Sequence, residues 1–104
     1  MAQPYEADLR RWMRYEAQRA KEGFVHYVYL IKSLSYPEQK YVGITEDLKK
    51  RMAEHNSGQS THTAKFMPWE LVAYHAFQDK YKAYDFERYL KTGSGKAFAS
   101  KRFW

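Results

Sequence analysis

Hydrophobic positions along the chain follow two periods, and the switches between them mark the elements. Residues 5–22 place Leu9, Trp12, Met13, Ala17 and Ala20 on one helical stripe, with Gly23 as its stop. From Phe24 to Lys32 the pattern changes to alternation. Val25, Tyr27, Tyr29 and Ile31 share one face of a strand, and His26, Val28 and Leu30 share the other. Ser33 to Gln39 holds Pro37 and reads as a loop, and Lys40 to Ile44 reads as a second short strand. Paired antiparallel around that loop, the two strands can set Tyr29 opposite Tyr41.

Thr45 is the expected N-cap of the next helix, with Glu46 and Asp47 in its first turn. That helix runs to about Asn56 and ends at Ser57-Gly58. Residues 57–69 are polar and turn-rich, a loop expected to lie over the functional face. Glu70 to Phe77 is a third strand, and Asp79 caps a helix reaching Lys91. Thr92-Gly93-Ser94-Gly95 is expected to break that helix, and Lys96 to Phe103 to add one or two turns. The order α-β-β-α-β-α-α leaves little room for parallel crossovers. It predicts a small mixed α/β domain: a three-stranded, mainly antiparallel sheet flanked by helices. Residues 1–23 form an N-terminal helical extension and 24–104 the domain itself.

One polar residue interrupts this pattern informatively. Ala83, Phe86 and Leu90 make the apolar stripe of the Asp79–Lys91 helix, and Glu87 falls inside it. A carboxylate facing a core is unfavourable unless a cation, a metal or a hydrogen-bond donor meets it. Arg51 and His55, four apart on the preceding helix, share a face with Leu48 and so border the core. Arg offers a planar fork that can hold a phosphate, and His can pass a proton or orient a phenol. Two plainer readings stay open. The tyrosines can be cross-strand packing, and Glu87 can pair with Arg51 as a structural ion pair.

Composition narrows the partners. The chain has 104 residues and no cysteine, which excludes disulfides and thiolate metal sites. No secretory leader is visible, and no run approaches the ~20 apolar residues of a membrane span, so a cytoplasmic location is expected. Net charge is +6, unevenly spread. Residues 1–23 carry five basic and four acidic side chains, whereas after Glu87 there is no acid and Arg88, Lys91, Lys96, Lys101 and Arg102 follow. A one-signed C-terminus suits a polyanion, though a helix dipole also favours cations there. The N-terminal helix is read as packing through Leu9, Trp12 and Met13, against an alternative in which Arg10, Arg11, Arg14 and Arg19 contact nucleic acid.

Taken in order, Tyr27-Val28-Tyr29, then Tyr41-Val42-Gly43, then Arg51, His55 and Glu87 resemble the GIY-YIG nuclease superfamily, in its small single-domain bacterial form. The resemblance spans about residues 25–104. It implies a metal-dependent endonuclease that hydrolyses DNA phosphodiester bonds. Glu87 would be the metal ligand for Mg²⁺ or Mn²⁺, and Arg51 the phosphate clamp. Tyr41 would be the candidate general base, with Tyr29 assisting and His55 orienting or relaying protons. DNA would be held by Arg51, Lys91, Lys96, Lys101 and Arg102. His62 falls near a second functional His of some relatives. The sequence also departs from the family. Its first tripeptide has lost Gly and Ile. No Asn follows Glu87 where larger relatives have one, leaving Ser94 or Ser100 in that region, and Ile44-Thr45 replaces a Lys near the second tripeptide. A non-catalytic nucleic-acid-binding module on the same scaffold is therefore the alternative, and a protein-interaction domain using the N-terminal helix a third.

Overall fold

The computed structural model describes residues 25–104. The helix expected over 5–22, and Phe24 at the start of the first strand, lie outside the described residues. Strand β1, His26–Ser33, is apolar at both parities, so it requires cover on both faces and both edges. It is the centre of the sheet. β2 (Lys40–Thr45) and β3 (Trp69–Phe77) flank it in the order β2-β1-β3, and both pairings are antiparallel.

Alternation along β1 divides the interior in two. Val25, Tyr27, Tyr29 and Ile31 pack with Leu48, Trp69 and the partly buried Tyr41, Met52, Phe66, Leu71 and Tyr74. Val28 and Leu30 pack on the opposite face with Ala83, Leu90 and Ala99, bordered by Val42, Ile44, Phe86, Phe98, Phe103 and Trp104. Helix α1 (Leu48–Ser57) therefore covers one face, and α2 (Lys80–Leu90) with α3 (Gly93–Arg102) covers the other. An irregularity in β3 sharpens the division. Leu30 pairs with Ala73 but Ile31 pairs with Leu71, so Val72 is an extra residue. Such a bulge reverses side-chain parity beyond it. Trp69 and Leu71 consequently join the α1 face, while Ala73 and Phe77 stay on the α2 face.

The helix ends correct two expectations. Asp47, not Thr45, is the N-cap of α1: its carboxylate accepts from the Lys50 amide at 3.1 Å. Thr45 is still paired with Tyr27 in the sheet, and its hydroxyl accepts from the Asp47 amide at 3.1 Å. It turns the chain toward the helix rather than starting it. Gly58 ends α1 at φ +82°, a backbone shape that favours glycine. The second correction is the start of α3: the chain does leave α2 after Leu90, but Thr92 is already the N-cap of α3 and Gly93–Gly95 its first turn, three residues before the expected Lys96. The Thr92 hydroxyl accepts from the Gly95 amide at 3.1 Å. A Cβ on Gly95 would overlap the Tyr89 carbonyl and lie 2.7 Å from Leu90 Cα, so its bareness lets α3 close onto the end of α2. No helix among the described residues is long and apolar enough to cross a membrane.

Candidate active site

Four of the expected residues meet on the α1 face of the sheet. Tyr29 comes from the central strand and is 1% exposed, with its hydroxyl 2.8 Å from His55 Nε2. Arg51, one helical turn before His55, donates from Nε to the same hydroxyl at 3.3 Å. The His55 ring lies 5.6 Å from the Tyr29 ring and 5.4 Å from the Tyr41 ring, and the two tyrosine rings are 6.3 Å apart. Tyr41 is only partly buried, so it is the phenol of the pair that a ligand can reach. Arg51 also keeps a 3.8 Å ion pair with Glu54.

The strand register explains how the two phenols fit. Tyr29 does not lie opposite Tyr41; its cross-strand partner is Gly43, and Tyr41 pairs with Ile31. Both tyrosines point to one face but are staggered by two residues. A Cβ on Gly43 would run into the Tyr29 phenol, with its ring carbon CZ 2.5 Å away. The missing side chain is the space in which that ring lies.

Electrostatics follow from this packing. Burial, countered by the Arg51 hydrogen bond, pushes the Tyr29 phenol up to about 12. Burial, reinforced by the Arg51 charge, pushes His55 down to about 4. The resting pair is thus a neutral phenol against a neutral imidazole. Arg51 is held still more firmly as a cation, first by its hydrogen bond to Tyr29 and more weakly by Tyr41.

Glu87 is placed differently. Its helix lies on the other face of the sheet, and its side chain is 16% exposed and ion-paired with Lys91. It shares no hydrogen bond or ion pair with Tyr29, Tyr41, Arg51 or His55 among the described residues. Its direction can still be fixed. Phe86 leans on His75 and Phe77 of β3, at ring separations of 5.0 and 5.6 Å. Glu87 is roughly 100° further round the helix, across the stripe of Ala83 and Leu90, and so faces away from β3 toward the β2 side. The same edge carries Tyr41 and Gly43. Among the described residues no group of three or more His, Cys, Asp or Glu is placed to hold a metal. The other four cations expected to hold DNA also lie on the α2–α3 layer. Lys91, Lys96, Lys101 and Arg102 are all exposed, Lys91 against Glu87 and Arg102 over the Phe98 ring at 5.9 Å.

Three residues of this region had no signal in the sequence. Thr63 is 1% exposed and puts its hydroxyl 2.7 Å from His55 Nδ1. Asn56 brackets the Trp69 backbone, accepting from its amide at 2.6 Å and donating to its carbonyl at 3.1 Å. Trp69 in turn donates its indole N–H to the Thr63 carbonyl at 2.9 Å. The 57–69 loop is therefore pinned behind His55, with a short 3₁₀ turn at Ala64–Phe66, while its neighbour His62 is exposed. His26 and His75 stand apart from the site. His26 is 3.6 Å from Glu46, and His75 is wedged between Phe86 and Phe103.

A model of the GIY-YIG catalytic domain matches residues 25–101. The chain belongs to the GIY-YIG family. A UPF0213 protein of Lacticaseibacillus paracasei is 36% identical over 73 residues, covering 69% of this chain and 78% of that protein. The structure-specific endonuclease subunit SLX1 of Candida dubliniensis is 35% identical over 71 residues, 62% of this chain, and the match spans 25% of that subunit. The solution structure of a UPF0213 protein from Bacillus halodurans superposes with a TM-score of 0.46 at 30% identity, covering 74% of this chain and 83% of that one. In this GIY-YIG domain the two tripeptides occupy adjacent strands. The last tyrosine of the first, Tyr29, faces the glycine of the second, Gly43, which gives that glycine a steric reason.

Proposed function

We propose that the chain is a divalent-metal-dependent endonuclease that hydrolyses DNA phosphodiester bonds at the β2 edge of the sheet. The observation that carries this reading is the contact set Tyr29–His55–Arg51 with Tyr41 beside it, built on a family match that spans the domain.

Arg51 is the phosphate clamp. It is a permanent cation whose Nε is committed to Tyr29, and its Nη1 keeps only a long 3.8 Å ion pair with Glu54, which a phosphate oxygen would displace. Tyr41 is the candidate base because Tyr29 is too deeply buried to touch a substrate. Arg51 is the cation beside Tyr41 that would face the charge developing there as water gives up its proton. Tyr29 keeps its own proton and aims the Arg51 fork. Glu87 suits a hard ion that takes most of its ligands from water and phosphate oxygens, and its ion-pair partner Lys91 is half-exposed and free to swing aside. When bound, Mg²⁺ or Mn²⁺ would supply charge neutralisation at the phosphate.

The test is cleavage of single- and double-stranded DNA by the purified protein with Mg²⁺, Mn²⁺ or EDTA. Expected results are cutting only with the ion and a loss of about 10²–10³-fold in Arg51→Ala, with Glu87→Ala abolishing the ion-supported cutting. Cutting in EDTA, or full activity of Glu87→Ala, rejects the mechanism. One observation favours a non-catalytic nucleic-acid-binding module instead: among the described residues Glu87 is ion-paired with Lys91 and has no hydrogen bond or ion pair to the four residues on the other face. Salt-sensitive binding with no cutting under any ion would decide for it.

A further inference from the structure

The hydrogen bonds behind Tyr29 have a determined direction. Arg51 Nε can only donate, so the Tyr29 oxygen accepts from it and the hydroxyl hydrogen must point elsewhere. The acceptor in reach is His55 Nε2 at 2.8 Å. A phenol that is 1% exposed does not forgo that bond without penalty. His55 Nε2 is therefore bare, and the single ring proton of the neutral imidazole is on Nδ1. It needs an acceptor in turn, and the Thr63 hydroxyl is 2.7 Å away. Thr63 can accept because its own hydrogen has a destination, the Ser60 carbonyl at 3.4 Å. The reverse orientation, with Thr63 donating to Nδ1 and Nε2–H donating to Tyr29, would strand the Tyr29 hydrogen between two donors.

The threonine is held for this purpose by more than its side chain. Its amide donates to Ser60, its carbonyl accepts the Trp69 indole, and Trp69 is fixed by Asn56, the residue after His55. Thr63 and His55 are thus tied through a closed loop of contacts that returns to the same helix.

We infer that Thr63 is a positioning residue: it locks His55 in the Nδ1–H tautomer, and through His55 and Tyr29 it sets the aim of Arg51. The catalytic part of this inference rests on the endonuclease reading above; the tautomer part does not. In the opposite tautomer Nε2–H would compete with Arg51 for the Tyr29 oxygen and loosen the clamp. Thr63 touches no substrate and acts through three hydrogen bonds in series.

The experiment is ¹⁵N NMR of the His55 ring in the 104-residue chain near neutral pH, for wild type, Thr63→Ser and Thr63→Val. Wild type and Thr63→Ser are expected to show a protonated Nδ1 and a bare Nε2. Thr63→Val, which keeps the shape and removes the acceptor, is expected to lose that pattern. In DNA cleavage, Thr63→Val should fall about tenfold or more in kcat, and Thr63→Ser should restore it. A wild-type ring protonated on Nε2 overturns the inference without any variant. So does a Thr63→Val protein that keeps the Nδ1–H signature, or one that cuts DNA as fast as wild type. If no sample cuts DNA while the tautomer pattern holds and is lost in Thr63→Val, the failure belongs to the endonuclease reading and the assignment of Thr63 to the tautomer is supported.

Discussion

At the scale of single residues, the site depends on one side chain that is missing and one that is kept neutral. Gly43→Ala would push a methyl group into the Tyr29 phenol, which is held by His55 and Arg51 and has nowhere to move. Overpacking of this kind costs about 1–3 kcal/mol, so the variant should unfold at lower urea and lose activity with it. His55 gives a pH prediction. Its ordinary value is 6.5 and the fold lowers it to about 4. Between those values the unfolded chain takes a proton that the folded one refuses. Stability is therefore full above 6.5 and falls as the pH drops through 4, by roughly 1.4 kcal/mol per pH unit at most. His75, also lowered by burial, contributes a loss of the same sign. Urea titrations from neutral to mildly acidic pH should show the decline in wild type and a shallower one in His55→Gln. Tyr29, Tyr41, Arg51 and His55 could be singled out in the sequence because their order and spacing resemble the GIY-YIG pattern; periodicity alone put Arg51 and His55 on one helix face and the tyrosines on strands. Thr63 could not, because a loop of no fixed period delivers it.

At the scale of elements, caps and glycines decide where helices begin and how closely they pack. Asp47→Ala should destabilise the protein by about 1 kcal/mol, since it removes the side chain that accepts from the first turn of α1. Thr45→Ala should have a smaller effect, and thermal unfolding of the two variants checks the order. The two glycines of α3 make a sharper pair. Gly93→Ala meets nothing within 4 Å and should be neutral or stabilising by up to ~1 kcal/mol. Gly95→Ala should force α3 off the end of α2 and destabilise by about 1–3 kcal/mol or more. In the sequence Thr92-Gly93-Ser94-Gly95 marked the end of α2 correctly but hid the early start of α3, because composition alone cannot tell a flexible glycine from a close-packed one. The bulge at Val72 was hidden for a similar reason: strict alternation would have sent Leu71 to the wrong face.

At the scale of the whole molecule, the sheet separates Arg51 from the other cations expected to hold DNA. Arg51 is on the α1 layer, while Lys91, Lys96, Lys101 and Arg102 are on the α2–α3 layer. If both layers touch one DNA, binding should weaken with salt, and Arg51→Ala should flatten the dependence of log affinity on log salt by about one. The double variant Lys101→Ala with Arg102→Ala should weaken binding further while leaving kcat unchanged. Fluorescence anisotropy over a salt series, with single-turnover cleavage alongside, measures both. The three-stranded α/β architecture was readable because alternation and helical stripes are strong here. The position of Glu87 relative to the other four was not, because period places a residue on a face of its own element and says nothing about which side of the sheet that element covers.

The alternation of β1 has a genetic corollary. Odd-numbered positions serve the phenol–imidazole cluster and even-numbered ones anchor the C-terminal helices. Removing one codon from the middle of this strand would swap those assignments for everything downstream in it. Such an in-frame loss should be far more damaging than any conservative replacement there, whereas an added codon in the exposed 34–38 hairpin loop would leave both registers intact.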